Sequence, residues 1–182
     1  MAIKSTIFKA ELQISDMDRN YYQTHNLTIA QHPSENDERM MVRLAAFALH
    51  ADEDLEFTKG LSTADEPDLW RKELTGDIAL WIDLGQPDEK RIRKAAGRAK
   101  QVVIYTYNGR SASVWWAQMK DKLSRFDNLA VINLSDDTVA ALARLAQRSM
   151  RLQCTLQDGE MWMGNDQDSV HVVPKVLKPL QG

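Results

Sequence analysis

The positions Ile3, Thr6, Phe8, Glu11 and Ile14, with polar residues between them, give an imperfect two-residue period that predicts a strand over 3–14. Asp16-Met17-Asp18-Arg19-Asn20 reads as a turn, and a second strand over 21–30 completes an N-terminal hairpin within residues 2–31. His32-Pro33-Ser34 ends that strand. Ser34 is the expected N-cap of a helix reaching about residue 50, with Asp37 three residues on and Glu35 and Glu38 in the positive first turn. Met41, Leu44, Ala45, Ala48 and Leu49 form its apolar stripe. A short strand over 55–61, an acidic turn-rich loop over 62–67 and an extended stretch over 68–71 follow. Residues 78–84 then form a nearly continuous apolar run, the pattern of a strand buried on both faces.

Gly85-Gln86-Pro87 turns the chain into a helix over 88–99, with Pro87 suited to a first helical position and Ile92, Ala95, Ala96 and Ala99 on one face. Next come a strand over 102–107, a helix over 111–123, a strand over 129–134 and a helix over 136–148. The C-terminal part is β: 150–157, an Asp158-Gly159 hairpin turn, 161–163 and 169–174. The expected fold is mixed α/β, a sheet flanked by helices with a hairpin before it and strands after it, in a single domain over 1–182.

Composition narrows the function classes. With 43% hydrophobic residues the chain builds a substantial core. A net charge of −3 argues against coating nucleic acid non-specifically, while leaving room for a local basic patch. The one cysteine, Cys154, excludes a disulfide framework and a cysteine zinc cluster, and reads as a small core residue. No stretch resembles a secretory signal or approaches the ~20 apolar residues of a membrane helix, so a cytoplasmic, reduced setting without membrane partners is expected.

Candidate chemistry centres on Asp83. It stands near the end of the apolar run, sharing a face with Ala79 and Trp81 opposite Ile78, Leu80, Ile82 and Leu84. A buried carboxylate needs a partner, so Asp83 either caps or pairs structurally, or holds a ligand at the strand's carboxyl end. Asp68, in Glu66-Pro67-Asp68, offers a second carboxylate, and Glu35 and Glu38 are first-turn acids. The helix after Asp83 carries Lys90, Arg91, Arg93, Lys94 and Arg98, followed by Lys100, against only Asp88 and Glu89; this is either a solvated face or a track for phosphates. Trp115-Trp116 is either core or a stacking surface. His25, His32, His50 and His171 have no metal-ligand spacing, and phosphate-binding glycine loops and nucleophile elbows are absent from the sequence.

The segments 32–41 (His-Pro-Ser-Glu-Asn-Asp-Glu-Arg-Met-Met), 65–70 (Asp-Glu-Pro-Asp-Leu-Trp) and 81–91 (Trp-Ile-Asp-Leu-Gly-Gln-Pro-Asp-Glu-Lys-Arg) closely resemble the bacterial YaeQ family, as do Tyr105-Thr106-Tyr107-Asn108 and Trp115-Trp116. The resemblance runs in order along essentially the whole chain. It implies a variant of the PD-(D/E)XK nuclease fold, with a core of one helix, three strands, a helix and a strand over about 34–107. The hairpin and the elements over 111–175 would pack on that core. By the family pattern Asp68 and Asp83 are the acids that bind Mg²⁺, and Glu38 (or Glu35) is the helix acid. The lysine that orients the attacking water falls on Gly85, a departure from the pattern. Lys94 or Arg91, on the next helix, is the candidate to stand in for it, and Arg91, Arg98, Gln86 and Tyr105 are the expected substrate contacts.

Three readings follow. One is a Mg²⁺-dependent phosphodiester hydrolase acting on nucleic acid. Another is a catalytically degenerate module that binds nucleic acid or an acidic protein through the helix over 88–99. The last is a protein-binding adaptor built around Trp115-Trp116.

Overall fold

The computed structural model describes residues 4–59 and 65–181. Among these residues the chain forms two compact units, one from residues 1–51 and 137–174, the other from 52–136 and 175–182. Each unit contains a mixed sheet.

In the first unit, β1 (Thr6–Asp16) and β2 (Tyr21–Gln31) form the expected hairpin, paired without a break from Thr6–Gln31 to Asp16–Tyr21. Its tip turns through Asn20, whose positive φ is one that asparagine tolerates. β1 alternates strictly on one face, burying Phe8, Ala10, Leu12 and Ile14. Its other neighbour is β8 (Ser149–Gln157), which runs parallel to it, and β9 (Glu160–Gly164) and β10 (Ser169–Val172) complete the order β10-β9-β8-β1-β2. Asp158 and Gly159 both take positive φ, so the Asp-Gly pair makes the tight hairpin turn its sequence predicts. Asp18 accepts hydrogen bonds from both of their backbone N–H groups, at 2.8 and 2.9 Å, tying the two hairpin tips together.

α1 (Asp37–Leu49) belongs to this unit. Its N-cap is Asn36 rather than Ser34: the Asn36 side chain accepts from the Arg39 N–H at 2.8 Å, whereas the Ser34 hydroxyl bonds to His32. Burial covers all of Met40–Ala48, wider than a stripe, and leaves Leu49 half-buried. The Phe47 ring meets His25 of β2 edge-on at 5.1 Å.

In the second unit the order is β11-β7-β6-β5-β4-β3, from β3 (Leu55–Phe57), β4 (Leu69–Lys72), β5 (Ile78–Leu84), β6 (Ala99–Thr106), β7 (Leu129–Asn133) and β11 (Lys175–Lys178). β5, β6 and β7 are parallel, joined by α2 (Glu89–Arg98) and α3 (Gly109–Leu123), and the other pairings are antiparallel. Every residue of β5 is buried, as a two-sided strand requires. Ile92 and Ala95 of α2 and Trp115, Met119 and Leu123 of α3 pack on Trp81, Val102, Ile104 and Val131. Trp115 is therefore core, and Trp116 is partly buried beside it.

Several boundaries differ from expectation. β3 stops at Phe57, and the remainder of the strand expected over 55–61 is not strand as far as residue 59; Leu61, with the part of the acidic loop over 62–64, lies outside the described residues. The last helix, α4, ends at Ala143 rather than near 148. β11 has no counterpart among the expected strands: it starts right after Pro174, where the apolar signal is short. A register shift against β4 gives β5 one extra residue, so Ile78 joins Trp81 in one core cluster instead of opposing it. The nuclease-like core expected over 34–107 is shared out: α1 lies in one unit and β3 to β6 with α2 in the other.

Candidate functional site

Asp83 sits in β5 at 3% exposure, and its carboxylate is fully engaged. The Arg91 guanidinium, one turn into α2, donates from Nε to Oδ2 at 2.9 Å and from Nη2 to Oδ1 at 3.0 Å. Trp81 Nε1 donates to Oδ2 at 3.1 Å. Burial raises the Asp83 pKa above its ordinary value; the paired guanidinium, its charge and the Trp81 hydrogen bond pull it down, and the Asp68 charge adds to the rise. Arg91 is raised in turn, chiefly by its hydrogen bonds to Asp83. A two-pronged guanidinium–carboxylate pair of this kind fixes both direction and distance.

Local sequence explains the placement. Asp88 caps α2 by accepting from the Arg91 N–H at 2.8 Å, which starts the helix early enough to bring Arg91 over the end of β5. Between them Gly85 has φ +94°, a conformation that strains any residue with a Cβ, and its N–H donates to Tyr105 O at 2.8 Å. The position that the family pattern gives to lysine is thus a backbone turn that favours glycine.

Asp68, just before β4, is 5% exposed and accepts from the Leu84 N–H at 2.9 Å through Oδ2. Its own N–H donates to Ile82 O at 3.0 Å. Arg91 Nη2 also donates to Glu66 O at 2.9 Å, so one guanidinium joins the Glu66-Pro67-Asp68 segment to β5. The Thr58 hydroxyl holds Pro67 O from the other side. The structure therefore brings Asp68, Asp83 and Arg91 together. Glu38 is half-buried in the first turn of α1 and belongs to the first unit.

The remaining expected contacts sit around this centre. Lys94 donates to Asp65 at 3.1 Å across the surface, both side chains being largely exposed. Arg98 donates to Asp65 O at 2.9 Å and lies over the Trp81 ring, 5.3 Å from its centre. Gln86 is exposed and donates to Tyr107 O at 3.4 Å. Tyr105 is fully buried in β6, and burial raises its hydroxyl far above the ordinary value. Lys90 and Arg93 are exposed on α2.

These donors do not fit Mg²⁺ as they stand. The ion binds through carboxylate oxygens and keeps several waters, but both Asp83 oxygens face a guanidinium whose charge opposes a cation. Among the described residues no group of three or more His, Cys, Asp and Glu is arranged to hold a metal. What the arrangement does is fix a buried negative charge with a fixed positive one.

One charged cluster escaped the sequence reading. Glu35, read as a first-turn acid, is buried and accepts from Arg39 at 2.6 Å and from Arg43 at 3.0 and 2.6 Å; Arg43 also donates to Ala30 O at 3.0 Å. The four-residue spacing of Glu35, Arg39 and Arg43 is the signal that finds it.

The family model described as YaeQ protein matches residues 1–174. A protein of Escherichia coli (strain K12) named "Uncharacterized protein YaeQ" is 46% identical over 172 residues, covering 94% of this chain and 95% of that one; its namesake in Salmonella typhi is equally similar. The crystal structure of YaeQ protein from Xanthomonas axonopodis pv. citri matches with a TM-score of 0.93 at 54% identity, over 96% of this chain and 98% of that one. The YaeQ protein of Pseudomonas syringae matches with a TM-score of 0.92 at 32% identity, over 98% of each chain.

Proposed function

The chain belongs to the YaeQ family, and on that premise we propose that it is a non-cleaving relative of a nuclease, in which a guanidinium has replaced the metal ion and the basic face of α2 holds nucleic-acid phosphates. The bidentate Asp83–Arg91 pair carries this reading: it occupies the carboxylate that a metal-dependent hydrolase needs free. Gly85 at the lysine position supports it, since catalysis of phosphodiester hydrolysis needs both an activated nucleophile and stabilisation of the developing charge. Lys90, Arg93 and Lys94 stand exposed in adjacent turns of α2, and the Lys94–Asp65 surface pair is too solvated to withhold Lys94 from a phosphate.

The test is fluorescence anisotropy with single- and double-stranded oligonucleotides of DNA and RNA across a salt series. Binding that weakens with salt is the expected result. Its slope should flatten by roughly one for each cation removed in Lys90→Ala, Arg93→Ala and Lys94→Ala. Binding insensitive to salt would sink the proposal. Cleavage of any of these substrates with Mg²⁺ or Mn²⁺, abolished by Asp83→Asn, would restore the hydrolase reading instead.

A further inference from the structure

The two sheets have four edges, and three of them are guarded. β10 has four residues and β3 three; β11 has four, with a register shift and a lysine at each end. Short length, irregularity and lysine are the usual protections of an edge strand. β2 has none of them. Its eleven residues contain no proline and no charged side chain, and its pairing with β1 has no bulge.

The direction of its backbone follows from β1. Lys9 N–H donates to Arg148 O and Met17 N–H to Leu156 O, so the odd-numbered residues of β1 point toward β8. The cross-strand partners of Lys9, Glu11, Gln13 and Ser15 are Thr28, Asn26, Thr24 and Tyr22. In an antiparallel pair these positions direct their N–H and C=O away from β1. All four are exposed, and among the described residues nothing pairs with those outward groups. Ala30 has the same parity, and there the outward C=O is taken by Arg43 Nη2 at 3.0 Å. The open stretch thus ends at a defined point.

We propose that the outer edge of β2 joins two copies of this chain, pairing antiparallel over residues 22–28 about a two-fold axis at His25. In that register Tyr22 faces the partner's Thr28 and Thr24 faces the partner's Asn26. Each strand presents four donors and four acceptors, so about eight hydrogen bonds close the join. The bonded pairs, Tyr22 with Thr28 and Thr24 with Asn26, are neutral, so no like charges meet in them. A second copy also has the same length of unbulged, uncharged strand, which is what a self-complementary interface requires. The result is one continuous sheet running through both copies.

The experiment is sedimentation velocity of the full chain across the micromolar range. A reversible monomer–dimer equilibrium is expected. Thr24→Lys with Asn26→Lys places lysine opposite lysine and is expected to raise the dimer dissociation constant at least about tenfold. Thr24→Glu with Asn26→Glu should do the same, and mixing the two doubly substituted proteins should restore dimer through opposite charges. Asn26→Pro, which deletes an outward N–H and leaves the β1 ladder intact, should weaken the dimer in the same direction. Circular dichroism melts establish that each variant is folded. A chain that stays monomeric throughout, a dimer that ignores these substitutions, or a mixture that fails to pair would overturn the proposal, as would an edge that takes only an unrelated extended peptide.

Discussion

Asp83 shows how a single buried charge is made tolerable. Arg91 is the partner that permits its ionised form, and the Arg91 side chain is itself 30% exposed. Breaking a fully buried pair costs about 3–5 kcal/mol, and partial exposure reduces this, so Arg91→Met is expected to lose about 2 kcal/mol near neutrality. The pH dependence has a definite sign. The folded-state pKa of Asp83 lies above its ordinary value of 3.8, so its ionisation disfavours the folded state. In Arg91→Met the offsetting cation is gone and that pKa rises further. The variant's deficit should therefore grow as pH rises from the parent's folded value toward the new one, level off above it, and shrink as pH falls below it. Urea denaturation between about pH 7 and pH 4.5 checks this; a deficit independent of pH would show that the pair is not what holds Asp83. From the sequence, an apolar run with one acid in it was enough to mark Asp83 as needing a partner. It was not enough to choose Arg91, because which of six cations reaches the strand depends on where α2 starts, and Asp88 sets that start.

Elements were legible where their signals are local. The Asp-Gly turn after β8 and the nearly continuous apolar run of β5 appear where the pattern puts them; in β1 the buried face includes the expected Phe8 and Ile14 but runs through Ala10 and Leu12 rather than Glu11, and Ile3 lies outside the described residues. Helix starts were less legible, because Ser34, Asn36 and Asp37 all offer capping oxygens within one turn. The geometry assigns the cap of α1 to Asn36, and that of α2 to Asp88. Asn36→Ala and Asp88→Ala should each cost about 1 kcal/mol in chemical denaturation. Ser34→Ala should cost less than Asn36→Ala, since its hydroxyl bonds to His32 and to no helical N–H. β11 and the extra residue in β5 were not legible at all: a four-residue strand and a one-residue shift are set by their neighbours in the sheet, which no local pattern records.

At the scale of the whole molecule, the division into two sheets was the least visible feature. Parallel pairing of β1 with β8 joins residues some 140 positions apart, and neither segment carries a mark that names the other. Cys154 offers a probe of that sheet. It lies buried in β8, and burial pushes its thiol up to about 12. Thiol labelling of the native protein should therefore be far slower than labelling of the unfolded chain, and its rate should track unfolding as denaturant is added; fast labelling under native conditions would mean that β8 opens locally. The same long-range pairing has a consequence for biosynthesis. On the ribosome the hairpin of β1 and β2 is made well before its inner neighbour β8, with residues 52–136 translated in between. Until then the hairpin has two open edges, a condition under which nascent chains call on chaperones. The second unit waits as well, because its edge strand β11 follows β8, β9 and β10 of the first in the chain. Each half needs a segment translated after most of the other, so a chain that stops short of β8 leaves both unfinished.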